Sequence, residues 1–93
     1  MLDYQFELPF YDDYENAPSE IRKAFDKILR IIDEHGGFPR GMREHTSATS
    51  DIYMGQVTVR RGAWRVLYWK DDSLITFVRL LNHREYEKAL KEF

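Results

Sequence analysis

The sequence contains no cysteine and, among its 93 residues, only three prolines and five glycines. Without cysteine the chain has no disulfide framework, no thiol nucleophile and no cysteine-ligated zinc site. The histidines are too scattered along the chain to indicate a closed metal site; they are His35, His45 and His83. We therefore predict neither a metal ion nor any other cofactor.

Long apolar runs are missing as well, so the sequence predicts no membrane-spanning helix. The first residues, Met1–Tyr4, have neither the positive charge nor the apolar stretch of a signal peptide. We expect a soluble, cytoplasmic protein that does not bind membranes. The length and the hydrophobic content of 43% are typical of one folded domain, which spans residues 1–93.

The net charge of −2 conceals an uneven distribution of charge along the chain. Residues 1–20 contain six acidic residues and no lysine or arginine. Residues 21–70 contain ten basic and five acidic residues, a net charge of +5. A basic stretch of this kind can bind the phosphates of a nucleic acid, although chance clustering on a solvated surface gives the same pattern.

The N-terminal part of the sequence predicts one strand followed by two helices. Residues Tyr4–Leu8 alternate between apolar and polar side chains, which is the period of a half-buried strand, and Phe10–Glu15 follow as a short acidic helix. A longer helix is indicated next, with Pro18 in its first turn and Gly36-Gly37 as its C-terminal stop. The apolar residues of this helix recur at helical spacing: Ile21, Ala24, Phe25, Ile28, Ile31 and Ile32.

The C-terminal part predicts three strands and a final helix after a polar loop at residues 38–51. The strands are Ile52–Val59, Trp64–Lys70 and Leu74–Leu81, the helix is His83–Phe93, and the short connections make the strands antiparallel neighbours. The second and third of these strands are apolar on both faces, so we expect them inside the sheet with helix covering one side. The predicted fold class is α+β, with a single antiparallel sheet of about four strands, an N-terminal helical pair and a C-terminal helix in the order β-α-α-β-β-β-α.

That order of elements, together with three stretches of sequence, resembles the RelE/ParE superfamily of toxins from type II toxin–antitoxin pairs. Residues 6–22 are similar to the opening strand and helical hairpin of the family. Trp64–Tyr68 is similar to its central-strand pattern of an aromatic residue, arginine, two aliphatic residues and tyrosine. Leu81–Tyr86 is similar to the ending of several branches, including the RelE and YafQ-like ones. The resemblance covers nearly the whole chain.

The resemblance implies a function and a set of partners. Members of known activity are mostly ribosome-dependent mRNA endonucleases, and all are held inactive by an antitoxin protein. We therefore expect a toxin that cleaves mRNA on the ribosome, with a cognate antitoxin, the ribosome and mRNA as its partners. Two alternatives stay open: a ParE-like inhibitor of DNA gyrase, and a non-catalytic protein-interaction module with the same fold.

Metal-free RNA cleavage needs a base for the 2′-hydroxyl proton, a cation for the crowded phosphate and an acid for the 5′-oxygen. Histidine suits the acid and base roles, and arginine suits the cationic role. The resemblance places His83 and His45 on site histidines of the YafQ-like branch. It places Arg65 on the RelE-type active-site arginine and Arg84 on a second arginine of the site.

These four residues also have ordinary structural interpretations. The histidines can be surface or helix-capping residues, Arg65 can pair with an internal acid, and Arg84 can be a solvated residue in the first turn of a helix. Six further residues are predicted to bind substrate phosphates or bases, with surface charge or core packing as the alternative: Arg40, Arg43, Arg60, Arg61, Trp64 and Tyr86.

Three features depart from the pattern of the family and favour the two alternatives. Gln56 lies near the place where many relatives have an arginine in the second strand. Leu90 takes the position of a tyrosine near the RelE chain end. The chain is net negative, whereas ribosome-directed relatives are strongly basic. For all three functions we expect a partner to cover part of the basic surface and the free chain to expose an apolar strip along its helices.

Overall fold

The computed structural model describes residues 3–37, 44–46, 53–59, 62–71 and 73–91. No helix in these ranges is long and apolar enough to cross a bilayer. The elements run in the order β1 (Asp3–Phe6), α1 (Leu8–Asn16), α2 (Ser19–His35), β2 (Glu44–Thr46), β3 (Tyr53–Val59), β4 (Gly62–Lys70), β5 (Leu74–Asn82) and α3 (His83–Leu90).

The strands form one sheet in the order β1-β5-β4-β3-β2. The predicted α+β class and order of elements are confirmed, and β4 and β5 lie inside the sheet as expected. Two details of the prediction are corrected. The sheet is mixed, because β1 pairs in parallel with β5 while the other pairs are antiparallel. It also has a fifth strand, because the short β2 lies within the stretch predicted as a loop.

A bulge in β5 sets which side chains reach each face of the sheet. Leu67 on β4 pairs with Arg79 and Tyr68 pairs with Phe77, so Val78 is an extra residue on β5. In a regular strand, residues three apart point to opposite faces. Because of the extra residue, Phe77 and Leu80 enter the same core cluster.

The larger core lies between α1, α2 and one face of the sheet. Its centre is aromatic: the Phe25 ring lies 4.9 Å from that of Phe10 and 5.0 Å from that of Phe77, measured between centroids. The predicted apolar stripe of α2 supplies most of the remaining buried helix residues. Gly36 ends α2 in the left-handed conformation, with φ of 71°, and its N–H donates to the Ile32 carbonyl.

The second face of the sheet is covered by α3, so helices lie on both faces and not on one as predicted. Leu67, Leu81 and Ala89 form a small buried cluster there, and Val78 and Tyr86 pack against it. No loop separates β5 from α3, since the strand ends at Asn82 and the helix begins at His83. The Asn82 side chain caps the helix by accepting a hydrogen bond of 2.8 Å from the Glu85 N–H.

Replacing Asn82 with alanine removes this cap, and we expect it to lower the free energy of unfolding by about 1 kcal/mol. For a domain of this size that corresponds to a fall in Tm of roughly 4–8 °C, measured by thermal denaturation. Asn82→Asp is the matched control, because aspartate also accepts the capping hydrogen bond and should keep Tm near that of the wild type. An equal loss in both variants would contradict the capping role.

Candidate functional site

The candidate site is built around Arg65, which β4 presents on the face that α3 covers. The guanidinium carbon of Arg65 lies 5.5 Å from the centre of the Tyr86 ring. Its Nη1 nitrogen is buried and has no hydrogen-bond partner among the described residues. A buried charged donor without an acceptor is unfavourable, because it has lost its water without replacement. The arrangement therefore leaves the Arg65 guanidinium short of one acceptor.

Tyr86 links this guanidinium to α3. Its side chain is half-buried and packs against the Leu67, Leu81 and Ala89 cluster while its ring lies over Arg65. An aromatic face over a guanidinium contributes roughly 0.5–2 kcal/mol, the more so where the cation is desolvated. The structure thus gives Tyr86 a packing and positioning role beside Arg65.

His83 is the first residue of α3 and lies beside Tyr86. Its ring centre is 6.3 Å from that of Tyr86, and its side chain is 57% exposed. The Nε2 nitrogen lies 3.0 Å from Glu87 Oε1, one helical turn further on. Nδ1 has no hydrogen-bond partner among the described residues.

Two other predicted residues have no contact with Arg65, Tyr86 or His83 among those found in the described part of the chain. Trp64 is half-buried and packs against the core on the α1 and α2 side of the sheet, the face opposite Arg65. Arg84 is exposed and has no ion-pair partner within the described part of the chain. The structure therefore brings together Arg65, Tyr86 and His83 but not these two.

Strand register relates the remaining predicted residues to Arg65. Position 56 on β3 pairs with position 65 on β4, so the departure from the family pattern, Gln56, falls at the pairing partner of Arg65. His45 on β2 pairs with Met54, which in turn pairs with Leu67. Position 45 is therefore in the same cross-strand row as Leu67. The four arginines predicted to bind phosphates lie outside the described residues; they are Arg40, Arg43, Arg60 and Arg61.

A charged cluster that the sequence analysis did not single out joins α1 to the bulge in β5. Both carboxylate oxygens of Asp13 accept from the Arg79 guanidinium, at 2.7 and 3.0 Å, and Asp13 Oδ2 also accepts from the Leu80 N–H at 3.0 Å. The Asp13 side chain is only 12% exposed. One signal could have found it: Asp13 shares a helical face with the buried residues Phe10 and Ala17, and an acid on a buried face needs a partner.

Taken together, a five-stranded mixed sheet with the α1–α2 hairpin on one face and α3 on the other is the fold of the RelE-type toxins, as predicted. A chain of the RelB–RelE antitoxin–toxin complex from Methanococcus jannaschii matches this one with a TM-score of 0.73 and 17% identity, covering 91% of this chain and 96% of that chain. A chain of the DinJ–YafQ complex from E. coli matches with a TM-score of 0.69 and 17% identity, covering 91% and 97%.

A third similar structure is that of the YoeB dimer from Staphylococcus aureus, with a TM-score of 0.61 and 20% identity over 88% of this chain and 97% of that chain. No protein-family model matches the sequence, and no curated protein matches it significantly. At these identities the similarity establishes the fold alone.

Proposed function

We propose that this protein is the toxin of a type II toxin–antitoxin pair and that it cleaves mRNA on the ribosome. The observation that carries the proposal is the buried, unpaired Nη1 of Arg65, whose guanidinium lies against the Tyr86 ring, together with the His83 ring on the other side of that contact, 6.3 Å from Tyr86. Two of the similar structures named above are antitoxin–toxin complexes, which supports the toxin role and a cognate antitoxin as partner.

The cleavage would proceed by attack of the 2′-oxygen on the adjacent phosphorus. The bond from phosphorus to the 5′-oxygen breaks, leaving a 2′,3′-cyclic phosphate on one fragment and a 5′-hydroxyl on the other. Arg65 binds the phosphate oxygens, where a guanidinium fork offers two parallel donors to the extra charge of the transition state. His83, through Nδ1, transfers one of the two protons of the reaction.

The second proton transfer is assigned to His45 and a second cationic contact to Arg84. Two strand spacings of about 4.8 Å and two residues along the strand put the Cα atoms of positions 45 and 65 about 12 Å apart. Two long side chains can bridge that separation with a phosphate between them. Arg40, Arg43, Arg60 and Arg61 are proposed to contact the RNA backbone outside the scissile bond.

The proposal is tested by adding the purified chain to a cell-free translation reaction and mapping breaks in a reporter mRNA by primer extension. We expect cuts within translated codons that require ribosomes. His83→Ala should slow them about 100-fold or more, because a positioned proton-transfer group contributes on that order. His35→Ala is the matched control, because His35 is an exposed histidine at the end of α2 on the other face of the sheet.

Each alternative outcome has its own meaning. Intact message with normal translation would exclude the nuclease function, and a gyrase supercoiling assay would then test the ParE-like alternative. Arrested translation with intact message would indicate ribosome binding without cleavage. Cuts that His83→Ala leaves at the wild-type rate would remove His83 from the mechanism.

A further inference from the structure

An open apolar groove lies between α1 and α2, on the face of the sheet opposite Arg65. Its cavity measures about 200 Å³, enough for one or two large apolar side chains. Most of the lining is aromatic or aliphatic, and Asp26 is its one charged residue: the walls are formed by Phe6, Phe10, Tyr11, Tyr14, Phe25, Asp26 and Leu29. The hydrogen bond that Tyr14 donates to Asp26 at 2.8 Å closes one side and raises the pKa of the Tyr14 hydroxyl.

The outer face of α1 continues this groove with exposed apolar side chains. Leu8 is 80% exposed and Tyr11, one turn later, is 52% exposed and also lines the cavity. They are the most exposed large apolar side chains in the described part of the chain. Exposed apolar area that continues into a cavity is typical of a surface for binding another molecule. The expected apolar strip along the helices is thus present on α1.

Charge indicates what kind of molecule the groove accepts. Asp12 and Glu15 follow Leu8 at helical spacing on the same outer face, and both are exposed. No lysine or arginine occurs before Arg22 in the whole sequence. The Arg22 guanidinium is itself held by the backbone carbonyls of Glu15 and Ala17, at 3.2 and 3.0 Å. The α1 side of the groove therefore has the carboxylates of Asp12 and Glu15 on its rim, and the nearby Arg22 cation offsets one of these two charges.

The α2 side of the groove carries charges of both signs and does not cancel the negative charge on the α1 side. Asp26 lines the cavity, and Asp33 accepts a hydrogen bond of 3.2 Å from the Tyr4 hydroxyl. Arg30 lies one turn after Asp26 and offsets one of these carboxylates. Four carboxylates, those of Asp12, Glu15, Asp26 and Asp33, thus face two cations, Arg22 and Arg30, and the rim as a whole is negative.

We infer that this groove binds a basic amphipathic segment of a partner protein, which inserts apolar side chains beside Leu8 and Tyr11 and places lysine or arginine against Asp12 and Glu15. A second copy of the chain fits less well, because its own α1 would bring the same negative charge to the contact. The groove is separated from Arg65 by the sheet, so binding there is independent of the proposed nuclease function.

The inference is tested by selecting peptides from a random twelve-residue phage library on the purified full chain and measuring their affinities by titration calorimetry. We expect the selected peptides to combine leucine or aromatic residues with lysine or arginine. Leu8→Ser and Tyr11→Ser should each weaken binding about tenfold, and Asp12→Lys with Glu15→Lys should weaken it as much or more. All four positions are exposed or line an open groove, so the fold should be retained. Trp69→Ser, at an exposed apolar residue of β4, is the matched control.

Three results would overturn the inference. One is a set of selected peptides without enrichment of lysine and arginine. Another is binding that the Leu8 and Tyr11 variants leave within twofold of the wild type. The third is a concentration-dependent dimer that Leu8→Ser dissociates, which would assign the groove to a second copy of the chain. Because none of these readouts uses RNA, failure of the nuclease proposal would leave them unaffected.

Discussion

Replacing Arg65 with alanine should reduce the rate of message cleavage by about 100- to 1,000-fold, the usual cost of removing a group that stabilises transition-state charge. The guanidinium is partly desolvated under Tyr86 and has an unpaired Nη1, so its interaction with a phosphate is little weakened by water. Lysine at position 65 keeps the charge and loses the two-pronged geometry, so Arg65→Lys should give an intermediate rate. The measurement is single-turnover cleavage of a defined mRNA on stalled ribosomes.

The control for this experiment is Arg30→Ala, at an exposed arginine of α2 on the opposite face of the sheet. It changes the net charge by the same amount, so a general loss of affinity for the negatively charged ribosome would affect both variants equally. Circular dichroism establishes that both variants are folded. If Arg65→Ala cleaved at the rate of Arg30→Ala, the guanidinium would have no place in the reaction.

Replacing Asp13 with alanine should lower the free energy of unfolding by about 3 kcal/mol, a fall in Tm of roughly 12–24 °C for a domain of this size. The variant leaves the Arg79 guanidinium, which is two-thirds buried, without its carboxylate and the Leu80 N–H at the bulge without its acceptor. Losing the partner of a buried charge costs more than the ion pair itself contributes. Thermal and urea denaturation measure the change.

Asp12 provides the matched control, since it is the same residue type one position earlier and points to solvent. Asp12→Ala should change the free energy of unfolding by less than about 0.5 kcal/mol, as surface substitutions usually do. Asp13→Asn should lie between the two, because the amide oxygen still accepts from one donor but carries no charge. Equal stability of the Asp12 and Asp13 variants would show that the Arg79 cluster contributes little to folding.

The elements that the sequence predicted well are those whose side chains repeat at a clear period. The stripe of α2, from Ile21 to Ile32, matches a helix packed along one face, and a Gly36 stop in the left-handed conformation ended it where expected. The interior position of β4 and β5 followed from apolar residues on both of their faces. Arg65 and Leu67 are two residues apart, the period of a strand, and both lie on the α3 side of the sheet.

The features that the sequence did not predict depend on contacts between distant residues. The strand β2 has three residues, too few for a period, and it forms only because β3 offers an edge. The parallel pairing of β1 with β5 joins residues about seventy positions apart. The bulge at Val78 and the Asp13–Arg79 cluster arise together, since the carboxylate holds the backbone where the strand departs from regular pairing.

The direct junction between β5 and α3 makes the candidate site sensitive to chain length. Each residue of an α-helix turns it by about 100°, so one residue inserted between Asn82 and His83 would rotate the whole of α3 by that angle. Tyr86 would leave the guanidinium and Ala89 would leave the cluster around Leu67. Point substitutions can vary the chemistry of this site, but insertions and deletions at the junction would remove it. We therefore expect natural variants of this domain to differ in length elsewhere and to keep this junction constant.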